Sequence, residues 1–381
     1  MGKSGKQPTD PQGILLRGGA GQGLEAIRQS VLSQLGVLDL AHCVHSTEGM
    51  DAAGPYQQFR LDAKQADAWA PGYDTLALSH TLQLDSGRQS AGLMREIVLS
   101  MLMGPVAFEF PSVDELVSAV RIRHNIAQAA RRTSLAFHTS QAERPEDCWT
   151  YREDFGFVIR PGVSLLRALA KATQPDVSGT LYSFSCYRAT EYVILLGIAE
   201  ELTRCNPVLY AQLQALWTER PIMSGRFHDV FLREQGSMDA PLPPRYFVPG
   251  DRTWFRNPDE PSADASGYEG SWVIYLGGGL FSNFWKREQP FTLASKCVEI
   301  YQWRHALFLD AEGEQRIDEA KVETMVAAAQ DNEGEVERIL SLMQRYREPR
   351  GVYQDGGCLD TTREFARWVC PGTADLVLPE E

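Results

Sequence analysis

The stretch from Cys186 to Thr203 constrains this chain more than any other. Val193, Ile194, Leu195, Leu196 and Ile198 follow one another with hardly a break. A helix built from them is apolar around much of its girth and has to be covered on more than one side. The spacing predicts such a helix over 186–203, with a cysteine as its first residue. A thiol there sits among free backbone N–H groups and at the positive end of the helix dipole, both of which stabilise a thiolate. That is a place for a nucleophile, although free cysteine is also among the residues most often buried and inert.

The remaining segments predict what covers this helix. Ser112 and Glu115 form an S-x-x-E start signal ahead of an apolar stripe through Val113, Leu116, Val117, Val120 and Ile126, which predicts a helix over 112–131. Others are expected at 24–35, 162–173 and 292–305, and over 318–346 with a break at Asn332-Glu333-Gly334. From Phe247 the texture changes to strands: Thr253-Trp254-Phe255 and Ser271 to Leu276 are separated by turn residues. The fold class is therefore α+β, with the Cys186 helix packed on an antiparallel sheet containing Ser271 to Leu276. Residues 46–90 read as turn-rich and irregular, and the last thirty-odd as a loosely packed tail.

Composition excludes several functions. A net charge of −13 argues against a nucleic-acid surface or an acidic membrane surface. There is no apolar run of membrane-spanning length, and the polar N-terminus lacks the apolar core of a secretory signal. This predicts a cytoplasmic protein, or one exported by a system that needs no signal peptide. Seven cysteines are scattered and odd in number, with no C-x-x-C pair, which reads as free thiols rather than a disulfide frame or zinc site. The RGGAGQG loop at 17–23 has Leu24 where a dinucleotide fingerprint needs glycine, and lacks the Lys-Ser or Lys-Thr of a phosphate loop. No cofactor and no metal are expected.

Residues 105 to about 285 resemble the small bacterial transglutaminases of the spore-coat type, the protein-glutamine γ-glutamyltransferases. The resemblance rests on Pro105-Val106-Ala107-Phe108-Glu109-Phe110, Arg123-His124-Asn125-Ile126, Tyr182-Ser183-Phe184-Ser185-Cys186 and Pro249-Gly250-Asp251. It continues through Trp254-Phe255-Arg256-Asn257-Pro258 and Gly270 before Val273-Ile274-Tyr275-Leu276-Gly277. It implies a papain-like, transglutaminase-like cysteine core at 101–312, an N-terminal extension at 1–100 and a helical C-terminal extension at 313–381. It also implies Cys186 as the nucleophile. The family's glutamate before the cysteine is Ser185 here, its catalytic glutamate falls on Ser271, and its histidine falls on Asn283.

Two residues are candidates to replace the missing proton carriers. Glu269 lies two positions before Ser271, on the same side of an extended chain and displaced by roughly 7 Å. His228 is followed by Asp229 and matches a family Trp-His pair; imidazole is the commonest proton carrier near neutral pH. Asp251 reads as a turn cap. The resemblance implies acyl transfer, by cross-linking or deamidation, on protein glutamine side chains through a cysteine thioester. It leaves open a catalytically inactive member that keeps the fold as a binding or assembly module. The expected partner is a glutamine-bearing protein or peptide. The N-terminal extension suits a delivered effector, or docking to a carrier or secretion machine.

Overall fold

The computed structural model describes residues 10–18, 23–136, 142–222, 224–347 and 356–379; the centre of the glycine loop, 19–22, lies outside them. The helices that build the site are α1 (Leu24–Val37), α2 (Ser90–Leu102), α3 (Val113–Arg132), α4 (Leu165–Thr173), α5 (Cys186–Cys205), α6 (Ser224–Phe231), α7 (Leu293–Trp303), α8 (Glu319–Gln330) and α9 (Glu333–Met343). The strands of the two larger sheets are β1 (Ile14–Arg17), β2 (Val44–Asp51), β3 (Gly54–Leu61), β4 (Phe108–Phe110), β5 (Leu232–Gln235), β6 (Arg252–Arg256), β7 (Gly270–Gly277), β8 (Leu280–Phe281), β9 (Phe291–Thr292) and β10 (Arg363–Ala366).

The central sheet runs β9-β8-β7-β6-β10-β5 and every neighbouring pair is antiparallel. Strand β7 shows why two helical layers are needed. Successive side chains point to opposite faces of a strand. Accordingly Ile274 and Leu276 join the cluster around α5, whereas Val273 and Tyr275 join a second cluster with Leu293, Cys297, Ile300, Ile339 and Met343. Helices α7 to α9 thus cover the face of the sheet turned away from α5. A helix apolar all round needs further cover, and α5 finds it against α3 and α4 as well as β7. The approach to α3 is close: a Cβ on Gly197 would lie 2.6 Å from Ile126 Cγ1 and 2.8 Å from its backbone nitrogen. Only glycine allows the two helices to cross there.

Three expectations change. Residues 46–90 are not irregular, because β2 and β3 form a hairpin paired residue for residue from Val44 opposite Leu61 to Asp51 opposite Gly54. This hairpin continues into the first sheet, β2-β3-β1-β4, where β1 lies parallel to β4. The C-terminal segment is not a loose tail, because β10 lies inside the central sheet between β6 and β5, and Arg363, Cys358 and Leu359 are buried. The charged residues in REFA hid a strand whose side chains are paired rather than apolar. Finally, the capping box of α3 is only half made. Ser112 Oγ accepts from Glu115 N–H at 3.2 Å, but the Glu115 carboxylate accepts instead from the backbone of Val369 and Cys370.

Candidate active site

Cys186 is the first residue of α5, and Ser185 is its N-cap, with Oγ accepting from Arg188 N–H at 3.3 Å. Ser185 is exposed, and its side chain is accounted for by this cap. The thiol is part-buried at the edge of a cavity of about 510 Å³. Ser271, Asn283, Phe291, Lys296 and Glu299 line it, with Val322 and Val326 of α8. The structure therefore brings Cys186, Ser271 and Asn283 to one cavity.

Neither substituted position carries a proton relay. Asn283 is committed to its own loop, donating through Nδ2 to Gln289 O at 3.0 Å and accepting at Oδ1 from Lys286 N–H at 3.1 Å. Ser271 stands opposite Phe255 on the adjacent strand, and a hydroxyl there has no titration near neutral pH. Glu269 is exposed at the strand edge beside the cavity, and its carboxylate accepts from Gly267 N–H at 3.4 Å. His228 lies on α6 with Nδ1 2.8 Å from Glu364 Oε1, also outside the cavity lining. Asp251, the expected turn cap, accepts from Val248 N–H at 2.7 Å and pairs with the buried Arg123 at 2.6 Å.

A buried charged side chain that lines the cavity, Lys296, was missed on sequence. Lys296 is almost fully buried, with Nζ 3.3 Å from Glu299 and 4.0 Å from the Phe291 ring centroid. The signal was available. Leu293, Lys296, Cys297 and Ile300 fall at the i, i+3, i+4, i+7 positions of a buried helix face, and a lysine there is rarely buried without a role or a partner.

The electrostatics of the thiol follow from these neighbours. Burial pushes the Cys186 pKa above that of an ordinary thiol. The Trp272 backbone N–H, the Lys296 ammonium and the Tyr187 backbone N–H oppose the shift, and the negative charge of Glu269 adds to it. The two residues that supply those N–H groups are braced together. The Tyr187 and Trp272 rings meet edge to face at 5.4 Å, and the Arg252 guanidinium lies 5.1 Å from one centroid and 4.6 Å from the other. Arg252 is paired with Glu364, which also holds His228. His228 thus reaches the surroundings of the thiol only through Glu364 and Arg252.

One turn further along α5, burial, opposed by the charges of Arg188 and then Arg252, pushes the Glu191 carboxyl up to about 7. Its Oε1 has no hydrogen-bond partner among the described residues, while Oε2 meets Arg188 at 2.5 Å. A carboxyl whose folded pKa lies above its ordinary value of 4.5 holds its proton more tightly in the native state. Stability is then lost as pH rises from that value towards the folded pKa. Glu191→Gln should match the parent in thermal unfolding near pH 5 and exceed it at pH 8 by about 1–3 kcal/mol. A gap that does not widen with pH would mean that Glu191 is already ionised in the native protein at low pH.

A thiol at the head of a buried helix, packed on an antiparallel sheet and opening on a cavity, is the arrangement of a transglutaminase-like cysteine core. The chain belongs to the protein-glutamine gamma-glutamyltransferase family, whose model matches residues 77–377. The match extends beyond 101–312 on both sides and includes α8, α9 and β10. A solved structure of a transglutaminase from Geobacillus stearothermophilus, without its C-terminal extension, is 20% identical to this chain. That match covers 56% of this chain and 98% of the other, at a TM-score of 0.38. No curated protein matches the chain. Membership implies protein glutamine side chains as the substrate class. Among the described residues no helix is long and apolar enough to cross a membrane, and no group of His, Cys, Asp and Glu is placed to hold a metal ion.

Proposed function

We propose that the chain transfers the acyl group of a protein glutamine side chain through a thioester on Cys186, with Lys296 as the proton carrier in place of the family's missing acid–base residues. The observation that carries this reading is the buried Lys296 lining the same cavity as the thiol and acting on its charge. The Cys186 thiolate attacks the carboxamide carbon and the carbonyl oxygen takes up the negative charge. As the C–N bond breaks, the Lys296 ammonium protonates the nitrogen and ammonia leaves. A primary amine or water then attacks the thioester and gives a proton to the neutral Lys296, and the sulfur leaves as thiolate. Glu299 holds the ammonium in place. Glu269 and His228, the carriers expected from sequence, have no step in this scheme.

The test is incorporation of a fluorescent primary amine into an unfolded glutamine-bearing polypeptide, with ammonia release measured alongside. Because burial raises the thiol pKa, the thiolate forms only above the ordinary thiol range. The rate should therefore climb with pH past neutrality rather than plateau below it. A second reading is favoured by Ser271 and Asn283, which leave two family positions without a titratable group. In that reading the cavity binds a glutamine-bearing segment without turnover, as a binding or assembly module. It predicts polypeptide binding that Trp285 or Trp303 fluorescence would report, with neither product formed at any pH.

A further inference from the structure

Four of the seven cysteines, scattered in sequence, fall in two pairs in space, Cys297 with Cys358 and Cys205 with Cys370. Cys205 ends α5, and Cys370 follows β10 in the C-terminal segment. The residues flanking both thiols are fastened to one another. Asn206 Nδ2 donates to Val369 O at 2.8 Å. The buried Glu115 carboxylate accepts from Val369 N–H at 3.1 Å, from Cys370 N–H at 2.7 Å and from Thr373 Oγ1 at 2.8 Å. One turn along α3 from Glu115, Ser118 Oγ lies 4.0 Å from Cys205 Sγ. These anchors bring the Cys205 and Cys370 side chains beside each other, close enough for each thiol to act on the ionisation of the other.

We infer that Cys205 and Cys370 form an intramolecular disulfide when the folded protein meets a small-molecule disulfide. Cys205 is the part-exposed member and Cys370 the buried one, which assigns the order of events. The neighbouring Cys370 side chain holds the Cys205 pKa below that of an ordinary thiol, against burial and the charge of Glu201. The Cys205 thiolate attacks one sulfur of the reagent, whose S–S bond breaks, and a thiolate leaves. Cys370 passes its proton to that thiolate and attacks the Cys205 sulfur of the mixed disulfide, releasing the second reagent thiolate. Two protein thiols are oxidised to one disulfide, and one reagent disulfide is reduced to two thiols.

The chain contains its own control. Cys297 and Cys358 approach at 3.4 Å, yet both are completely buried between α7 and the C-terminal segment, so no reagent reaches them without unfolding. Proximity alone would oxidise this pair too; proximity with access selects Cys205 and Cys370. The cross-link would bind the segment after β10 to the far end of the helix that begins with Cys186.

The experiment is to incubate native protein with oxidised glutathione, quench with an alkylating agent in denaturant, and map the peptides by mass spectrometry. The expected result is a linked Cys205–Cys370 peptide, with Cys297 and Cys358 recovered as alkylated thiols. In Cys370→Ser the reaction should stop at a glutathione adduct on Cys205. Recovery of Cys205 and Cys370 as free thiols from the parent would overturn the inference. So would a lasting adduct on Cys205 with no internal link. Neither outcome bears on acyl transfer at Cys186, because the linked residues lie at the other end of α5.

Discussion

Replacing Cys186 by alanine should remove amine incorporation and ammonia release together, lowering the rate by roughly 10⁴–10⁶ where the parent is active. The magnitude follows from the arrangement of the cavity: Cys186 is the one thiol among its described lining residues, and the Ser295 hydroxyl in the first turn of α7 is tied to the Thr292 backbone. The fold should survive. Cys186 is part-buried in the first turn of α5, and the apolar contacts that hold the helix are made by Ala189 onwards. Alkylation separates the possibilities further. In the parent, iodoacetamide should label Cys186 at a rate that rises with pH above the ordinary thiol range, because burial opposes ionisation. If Cys186→Ala retains parental transfer, another residue is the nucleophile. If the parent transfers nothing while binding glutamine-bearing polypeptide, the binding-module reading takes its place.

The parts of the fold that were legible in the sequence are those set by periodicity and capping. The apolar girth of α5, the Ser112 start of α3 and the turn-bounded apolar run of β7 each leave a local signature. The break between α8 and α9 is one as well, since Asn332 caps the second helix through Glu335 N–H. What was hidden depends on partners distant in the chain. Strand β10 is short and charged, and it becomes interior only because Glu364 meets Arg252 and His228. The same holds for Glu115, whose sequence context reads as a capping box but whose carboxylate is taken by Val369 and Cys370 across the molecule.

The candidate site divides in the same way. Cys186, Ser271 and Asn283 could be placed because the resemblance covers a contiguous run of motifs, and they do meet in one cavity. Glu269 and His228 were reasonable by chemistry and spacing. Yet a strand edge turns Glu269 towards solvent, and a partner from the C-terminal segment holds His228. Lys296 lies outside the resembling stretch, on a helix that packs over the far face of the sheet.

The second large effect is therefore expected at Lys296. Lys296→Met keeps the length and apolar stem of the side chain and removes the charge, so the packing against Phe291 and Trp303 is largely retained. Replacing a buried ionic side chain by an apolar one of similar volume is often neutral for stability. Glu299 remains about a quarter exposed and can be solvated when its partner is removed. Loss of activity would then report chemistry rather than unfolding. The rate of amine incorporation should fall by roughly 10²–10⁴, the usual worth of general acid–base catalysis. The pH profile of Cys186 alkylation should also move upward, because a positive charge that favours the thiolate is gone. Glu269→Gln should move the same profile downward, since it removes a negative charge that disfavours the thiolate, and it should not reduce the rate. This opposition in sign is the decisive measurement. A lysine that acts on the thiol through its charge alone would move the alkylation profile and leave the rate unchanged once the thiolate is formed, whereas a proton carrier must lower that rate as well.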